Sequence, residues 1–197
     1  MTTNNNANGN NTTNNSTNNT ANGNTNGPVK RFGQKLSIYH PSSAGTGAAL
    51  RLEPRVNRAD SDNYNCFFLE LAVQKTGASR DGDKRIPATF DWEKKLTVKL
   101  DFSDICELLA VLEGKVEKVG GQKGGLYHQN GAGSTVISLQ KSEKGGYYIG
   151  LSKKSGDAAA VRVGVLLSEA EAIGLRSVFQ AGLFFVTFHT QVFQATA

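Results

Sequence analysis

Cysteine is scarce, long apolar runs are missing, and the first 27 residues carry no charge at all. Each absence excludes something. The two cysteines, Cys66 and Cys106, stand too far apart in sequence to read as a zinc site, and a reducing compartment is the simple inference. No stretch of 18 apolar residues is present, so neither a membrane-spanning helix nor a membrane partner is expected. The N-terminus has neither the basic and apolar regions of a secretory signal nor the arginines of an organellar transit peptide. A cytoplasmic setting is therefore expected, nucleoid-associated or in a viral or bacterial context, and an organellar one is not supported. Catalytic signatures are missing too: no P-loop, no G-x-S-x-G elbow, no H-E-x-x-H. The histidines His40, His128 and His189 are scattered, and none pairs with another at metal-ligand spacing. Neither an enzyme nor a cofactor nor a metal is expected.

What is present divides unevenly. Residues 1–27 hold 13 Asn and 7 Thr. Such a stretch cannot build a core and is expected to be disordered. It serves either as a solubilising spacer or, through amide ladders, as a self-association element. All 22 Lys and Arg and all 17 Asp and Glu fall in residues 28–197, which carry the whole net charge of +5. The expected organisation is a tail over residues 1–29, a folded domain over 30–190 and a C-terminal tail over 191–197. A domain of that size buries about 70% of its unfolded surface and needs no disulfide.

The dominant hydrophobic period is two. Leu36 and Ile38 alternate with Lys35, Ser37 and Tyr39; Leu50 and Leu52 alternate with Arg51, Glu53 and Arg55. Within Cys66–Lys75, Phe67, Leu69, Leu71 and Val73 take one face, and Phe68, Glu70, Ala72 and Gln74 the other. Trp92, Leu96, Val98 and Leu100 continue the pattern. Half-buried antiparallel strands read this way. From Ser103 the period turns helical through Ile105, Leu108, Leu109 and Leu112, with Ser103 as the expected N-cap and Gly114 as the stop. Four more strands are expected near Leu126–Gln129, Thr135–Lys141, Tyr147–Lys153 and Ala159–Leu166, separated by glycine-bearing turns. Ser168-Glu-Ala-Glu171 is a capping box. It opens a second helix expected to end near Gly182, with Leu183–Phe188 either a short strand or a segment packing back on the sheet.

Four strands and a helix, twice over, is an internal repeat. Val98–Asp104 and Val163–Glu169 match at an offset of 65, each reading Val, any, aliphatic, any, apolar, Ser, acid. The expected fold class is α+β: two ββββα repeats forming two packed antiparallel four-stranded sheets with two helices.

The remaining chemistry is a basic sheet surface with rings between the cations. Lys35, Arg51, Arg55, Lys75, Lys95, Lys99, Lys141, Lys153 and Lys154 fall on or beside strands, and Tyr39, Phe68, Trp92, Tyr127 and Tyr148 are interleaved. Strand cations neutralise phosphates while rings stack on bases, so these residues form the candidate nucleic-acid site. A single strand fits better than a duplex, because neither helix begins with basic residues. Alanine at Lys95 or Lys99 is then expected to flatten the salt dependence of binding. The competing reading is plain solvation of an outer sheet face, with Phe67, Trp92 and one of Tyr147 and Tyr148 in the core. His128 reads as a strand-surface residue. Cys106, in a first helical turn between Asp104 and Glu107, reads as an inert thiol. The glycines around Gln122 and Lys123 read as a flexible connection rather than a phosphate cradle.

The order of these motifs resembles the Whirly family of single-stranded DNA-binding proteins. More distantly, it is similar to the kinetoplastid mitochondrial guide-RNA-binding proteins that share that fold. The resemblance spans about residues 32–183. Ser37-Ile-Tyr39, then Ala48-Ala-Leu50, then Glu53-Pro-Arg55 are similar to the family's first hairpin, S-I-Y, K-G-K-A-A-L, E-P-R. Asp91-Trp92 with Lys94-Lys95 resembles its D-W-x-x-K, and Leu126-Tyr-His128 stands where it has a short F-F-H strand. The resemblance implies a homotetramer with helices at its centre and sheets radiating outward. A DNA strand would lie along and between the sheets, bases against apolar and aromatic side chains. The family's K-G-K-A-A-L reads Gly45-Thr-Gly-Ala-Ala-Leu50 here, without either lysine and after an inserted Pro41-Ser-Ser-Ala44. Larger assembly is therefore not expected. The function implied is non-catalytic binding of single-stranded DNA with weak sequence preference, protecting or organising strands in replication, recombination or repair. An RNA-binding or annealing protein on the same scaffold, and a structural oligomer using the tail, remain open at this point.

Overall fold

The computed structural model describes residues 35–55, 65–131 and 133–188, all within the compact unit Gly33–Ala197. The Asn/Thr tail, Lys30, Arg31, His189 and the C-terminal tail lie outside the described residues. In chain order the elements are β1 (Leu36–His40), β2 (Ala48–Arg55), β3 (Cys66–Thr76), β4 (Ser79–Asp81), β5 (Lys84–Ile86), β6 (Thr89–Phe90), β7 (Leu96–Leu100), α1 (Phe102–Leu112), β8 (Leu126–Asn130), β9 (Gly133–Lys141), β10 (Tyr147–Lys154), β11 (Val161–Leu167) and α2 (Glu169–Phe188).

Two antiparallel sheets carry the domain. The first runs β1-β2-β3, and both β7 and the short β6 pair with β3. The second runs β8-β9-β10-β11. Register turns the period-two pattern into faces. Leu36 lies opposite Leu52, Leu52 opposite Leu69 and Leu69 opposite Val98, so one aliphatic row crosses four strands. Leu126, Ile137, Leu151 and Val163 make the matching row in the second sheet. A slip of one residue would turn either row to solvent, so burial pins the register.

Both helices bury one stripe in the same hydrophobic cluster that the two sheets line. Leu108 of α1 and Phe179 of α2 are fully buried. Each such side chain stabilises the fold by about 2–3 kcal/mol relative to exposure. The expected plan of two ββββα halves is the observed one, with β6 and the separate β4–β5 hairpin added between β3 and β7.

Details differ from the sequence reading for physical reasons. The N-cap of α1 is Asp101, not Ser103. The Asp101 carboxylate accepts from the Asp104 backbone N–H at 3.0 Å, and Asp104 accepts in return from the Asp101 N–H at 3.0 Å. An aspartate outcompetes a serine two residues on when a carboxylate at the third helical position closes the reciprocal pair. Ser168 and Glu171 form the same box at α2. The two caps stand 67 residues apart, so the repeat aligns Val98-Lys-Leu-Asp101 with Val165-Leu-Leu-Ser168. The structural offset is 67, two residues more than the 65 of the sequence match.

Nor does α2 stop at Gly182; it runs on to Phe188. Gly182 is a contact glycine: a Cβ there would stand 2.5 Å from the Phe67 ring. The missing side chain lets the helix approach β3, and Phe185 beyond it packs edge-on against Phe67, with ring centroids 6.0 Å apart.

The repeat also shows in a pair of crossed staples. Ile38-Tyr39-His40 on β1 and Leu126-Tyr127-His128 on β8 are the same tripeptide pattern, aliphatic, Tyr, His, on the first strand of each half. The His40 ring Nε2 lies 2.9 Å from Glu171, and that of His128 lies 2.9 Å from Asp104. Each half thus ties its first strand to the capping carboxylate of the other half's helix. His128 is therefore half-buried and paired rather than a free strand-surface residue.

Candidate nucleic-acid interface

The outer face of the first sheet collects Tyr39, Arg51, Arg55, Phe68 and Lys99 by strand parity. Trp92 joins them from a turn. Asp91 accepts from the Lys94 backbone N–H at 3.3 Å and closes that turn, so strand alternation does not apply to its neighbour. Trp92 is consequently half-buried on the surface and absent from the core cluster, against the alternation reading. The Arg51 guanidinium lies 3.5 Å from the Trp92 ring centroid. At an exposed site such a contact is worth about 0.5–1 kcal/mol. Tyr39 packs edge-on to Trp92 at 6.4 Å and tilted against Phe90 at 5.5 Å between centroids. Its phenol is held below the ordinary tyrosine value, chiefly by hydrogen bonding from Arg51. Tyr39 remains 48% exposed, so this ring surface faces solvent instead of completing the core.

The lysines on this face are not equivalent. Lys35 lies 2.5 Å from Glu53 and 3.5 Å from Glu70, and Lys95 pairs with Glu70 on its other oxygen. The Glu53 hydrogen bond is the main reason that the Lys35 ammonium is held above its ordinary value. Glu70 is only 4% exposed and cannot swing away. Lys35 and Lys95 are thus already neutralised, whereas Lys99 and Arg55 have no carboxylate partner among the described residues.

The second sheet presents Tyr127, Tyr148 and Lys154 on its outer face, together with Arg162. Of the Tyr147–Tyr148 pair, Tyr147 is buried and Tyr148 is exposed. The remaining candidates sit elsewhere. Lys141, opposite Tyr147, and Lys153, opposite Val161, have core-face parity but lie at strand ends, exposed. Lys75 lies past the β3 core where the pairing with β6 shifts register. By sequence Arg162 counts among the strand cations but is left out of the candidate site, and Phe90 is not singled out at all. The parity of Arg162 with Leu166, the partner of Tyr148 four residues further along β11, was the available signal.

The turn that replaces the K-G-K segment is built around a glycine and a glutamine. The Gln74 side chain accepts from Ser42 N–H at 2.8 Å and donates to Ser42 C=O at 3.0 Å. A Cβ at Gly47 would stand 2.2 Å from the Gln74 side-chain oxygen and 2.5 Å from the His40 carbonyl. A lysine in that place would have to break this staple. Elsewhere, burial pushes both thiols, Cys66 and Cys106, above the ordinary cysteine value, and Glu107 pushes Cys106 further. Neither thiol is activated.

No family model matches the chain, and no curated protein sequence matches it. Solved structures do match. The Whirly protein WHY1 from Arabidopsis thaliana is 21% identical, covers 80% of this chain and 87% of its own, and superposes with a TM-score of 0.60. WHY3 from the same plant gives 20% identity, 81% and 91% coverage and a TM-score of 0.61. The MRP1/MRP2 proteins of a trypanosome give 18%, 80% and 88%, with a TM-score of 0.52. The chain has the Whirly fold.

Proposed function

We propose that this chain binds single-stranded DNA with weak sequence preference and protects or organises exposed strands in replication, recombination or repair. The role is one of binding, not catalysis. The observation that carries it is the Tyr39–Arg51–Trp92 cluster, where rings and a guanidinium plane stand on an outer sheet face. Bases stack on such a surface for about 1–3 kcal/mol each, without regard to sequence. Lys99 and Arg55, on the same outer face and without a carboxylate partner among the described residues, supply cations for phosphates. A fold shared with WHY1 and WHY3 supports the same reading.

A homotetramer is part of the proposal. The α2 helix leaves Ile173, Phe184 and Phe188 each more than half exposed. Apolar side chains of that size on a helix gain by packing against another copy.

Trp92 is the only tryptophan in the chain, so its fluorescence reports on this face alone. Titration with an unlabelled single strand is expected to quench it saturably. Unchanged emission at saturating strand would remove the platform from the account. A matched RNA strand used as competitor separates DNA from RNA preference, because only a site that uses the 2′-hydroxyl favours RNA.

A further inference from the structure

Across the outer face of the second sheet runs a row with almost no side chains. Ser138, Gly150 and Gly164 lie directly opposite one another on β9, β10 and β11. The Tyr148 ring lies down into this row. A Cβ at Gly164 would stand 2.1 Å from the Tyr148 hydroxyl oxygen, and one at Gly150 would stand 3.1 Å from the same atom. The two glycines therefore form a floor that only a bare backbone provides, with the ring tip resting on both. The ring is 39% exposed, so it has a free side as well as a packed one. Beside it opens a cleft of about 380 Å³ that Tyr127, Tyr148 and Arg162 border. Tyr127 is 64% exposed, and its hydroxyl donates to the Lys123 carbonyl at 3.1 Å, which fixes the ring's direction.

Charge separates this face from the first sheet. Its outward positions on β8 to β11 include Arg162 and Lys154 but no aspartate or glutamate. No ion pair neutralises either cation among the described residues. An anionic ligand meets an uncompensated positive field here, whereas on the first sheet it meets Glu53 and Glu70.

We propose that this cleft is a second nucleobase-binding subsite: one base of a single strand stacks on Tyr148 beside Tyr127, its carbonyl edge toward Arg162 and its phosphate toward Lys154. The proposal rests on the reading of the protein as a single-strand binder and adds where and how a base is held. Arg162 offers donors only, so it favours bases that present a carbonyl oxygen over adenine. The glycine floor is a positioning device. It stores no energy in the site but keeps the ring down and its outer side open.

The test uses the full chain and a fluorescein-labelled thymine strand of about thirty nucleotides. In parallel, a copy carrying 5-iododeoxyuridine is irradiated and the crosslinked peptides are mapped. Crosslinks at Tyr148 or Tyr127 are expected in the wild-type protein. Tyr148→Leu is expected to weaken binding about five- to hundredfold, the loss of one stacked base. Tyr148→Phe should bind as the wild type does. Gly164→Ala should mimic Tyr148→Leu by lifting the ring, and Arg162→Gln should narrow the preference for thymine over adenine strands. Circular dichroism checks each variant's fold, and Trp92 quenching at saturation should be unchanged in all of them. Crosslinks confined to the first sheet, or wild-type affinity in Tyr148→Leu, would overturn the subsite while leaving single-strand binding intact. Failure of the wild-type protein to bind any strand would overturn both.

Discussion

Three substitutions on one sheet face should change the salt dependence of binding in three different directions. Lys99 faces solvent and makes no ion pair among the described residues, so a phosphate that pairs with it releases a counterion. Lys95 is paired with Glu70, whose carboxylate is buried and fixed, so a phosphate beside it meets a neutral pair. For single strands each neutralised phosphate adds about 0.7 to the slope of log K against log salt, or about 2.5-fold in affinity over a fourfold change in salt. Lys99→Ala should therefore lower the slope by about 0.7. Lys95→Ala should leave it nearly unchanged. Glu70→Gln, which keeps the shape but frees Lys95, should raise the slope by about 0.7 and tighten binding at low salt. Fluorescence anisotropy of a labelled single strand across a salt series reads all three. Equal loss of slope in Lys95→Ala and Lys99→Ala, with no gain in Glu70→Gln, would refute the reasoning from ion pairing.

Other consequences concern the fold itself. Asp101→Ala should cost about 1 kcal/mol in urea denaturation and Ser103→Ala almost nothing, since only Asp101 caps α1. Gly182→Ala should cost about 1–3 kcal/mol by driving a methyl into the Phe67 ring, unless α2 shifts outward. The two staples should respond to pH with opposite sign. Burial pushes Glu171 up, but hydrogen bonds from Ser168 and His40 outweigh it and hold the carboxyl below its ordinary 4.5. Its contribution to stability is complete above that value and is lost as pH falls through the folded one, so Glu171→Gln should flatten the acid limb of a melting curve. Asp104 is held above its ordinary 3.8, first by burial and against the bonds from Asp101 and His128. Its contribution is present below that value and falls away as pH rises through the folded one, so Asp104→Asn should lose stability least at neutral pH.

The fold was legible because burial and period coincide. Rows such as Leu36–Leu52–Leu69–Val98 need strict alternation, and alternation is visible in one dimension. The helix ends were harder. Asp101 and Ser103 are both good caps, and only the reciprocal bond from Asp104 decides between them. Gly182 looked like a stop because a glycine's packing role depends on a ring that lies 115 residues away in sequence, Phe67. The candidate interface was legible as types of residue but not as pairs. Strand parity placed Tyr39, Arg51 and Lys99 together. It could not show that Lys35 and Lys95 are spent on Glu53 and Glu70, because those contacts cross strands. The glycine floor under Tyr148 was equally hidden. Gly150 and Gly164 become neighbours only through the register of β10 with β11.

The most direct test of the central claim is anisotropy of a labelled single strand of about thirty nucleotides, beside a duplex of the same sequence, at low and at moderate salt. The account predicts tight binding to the single strand that weakens steeply as salt rises, with the duplex bound far more weakly. Equal affinity for both forms, or single-strand binding that ignores salt, would contradict it.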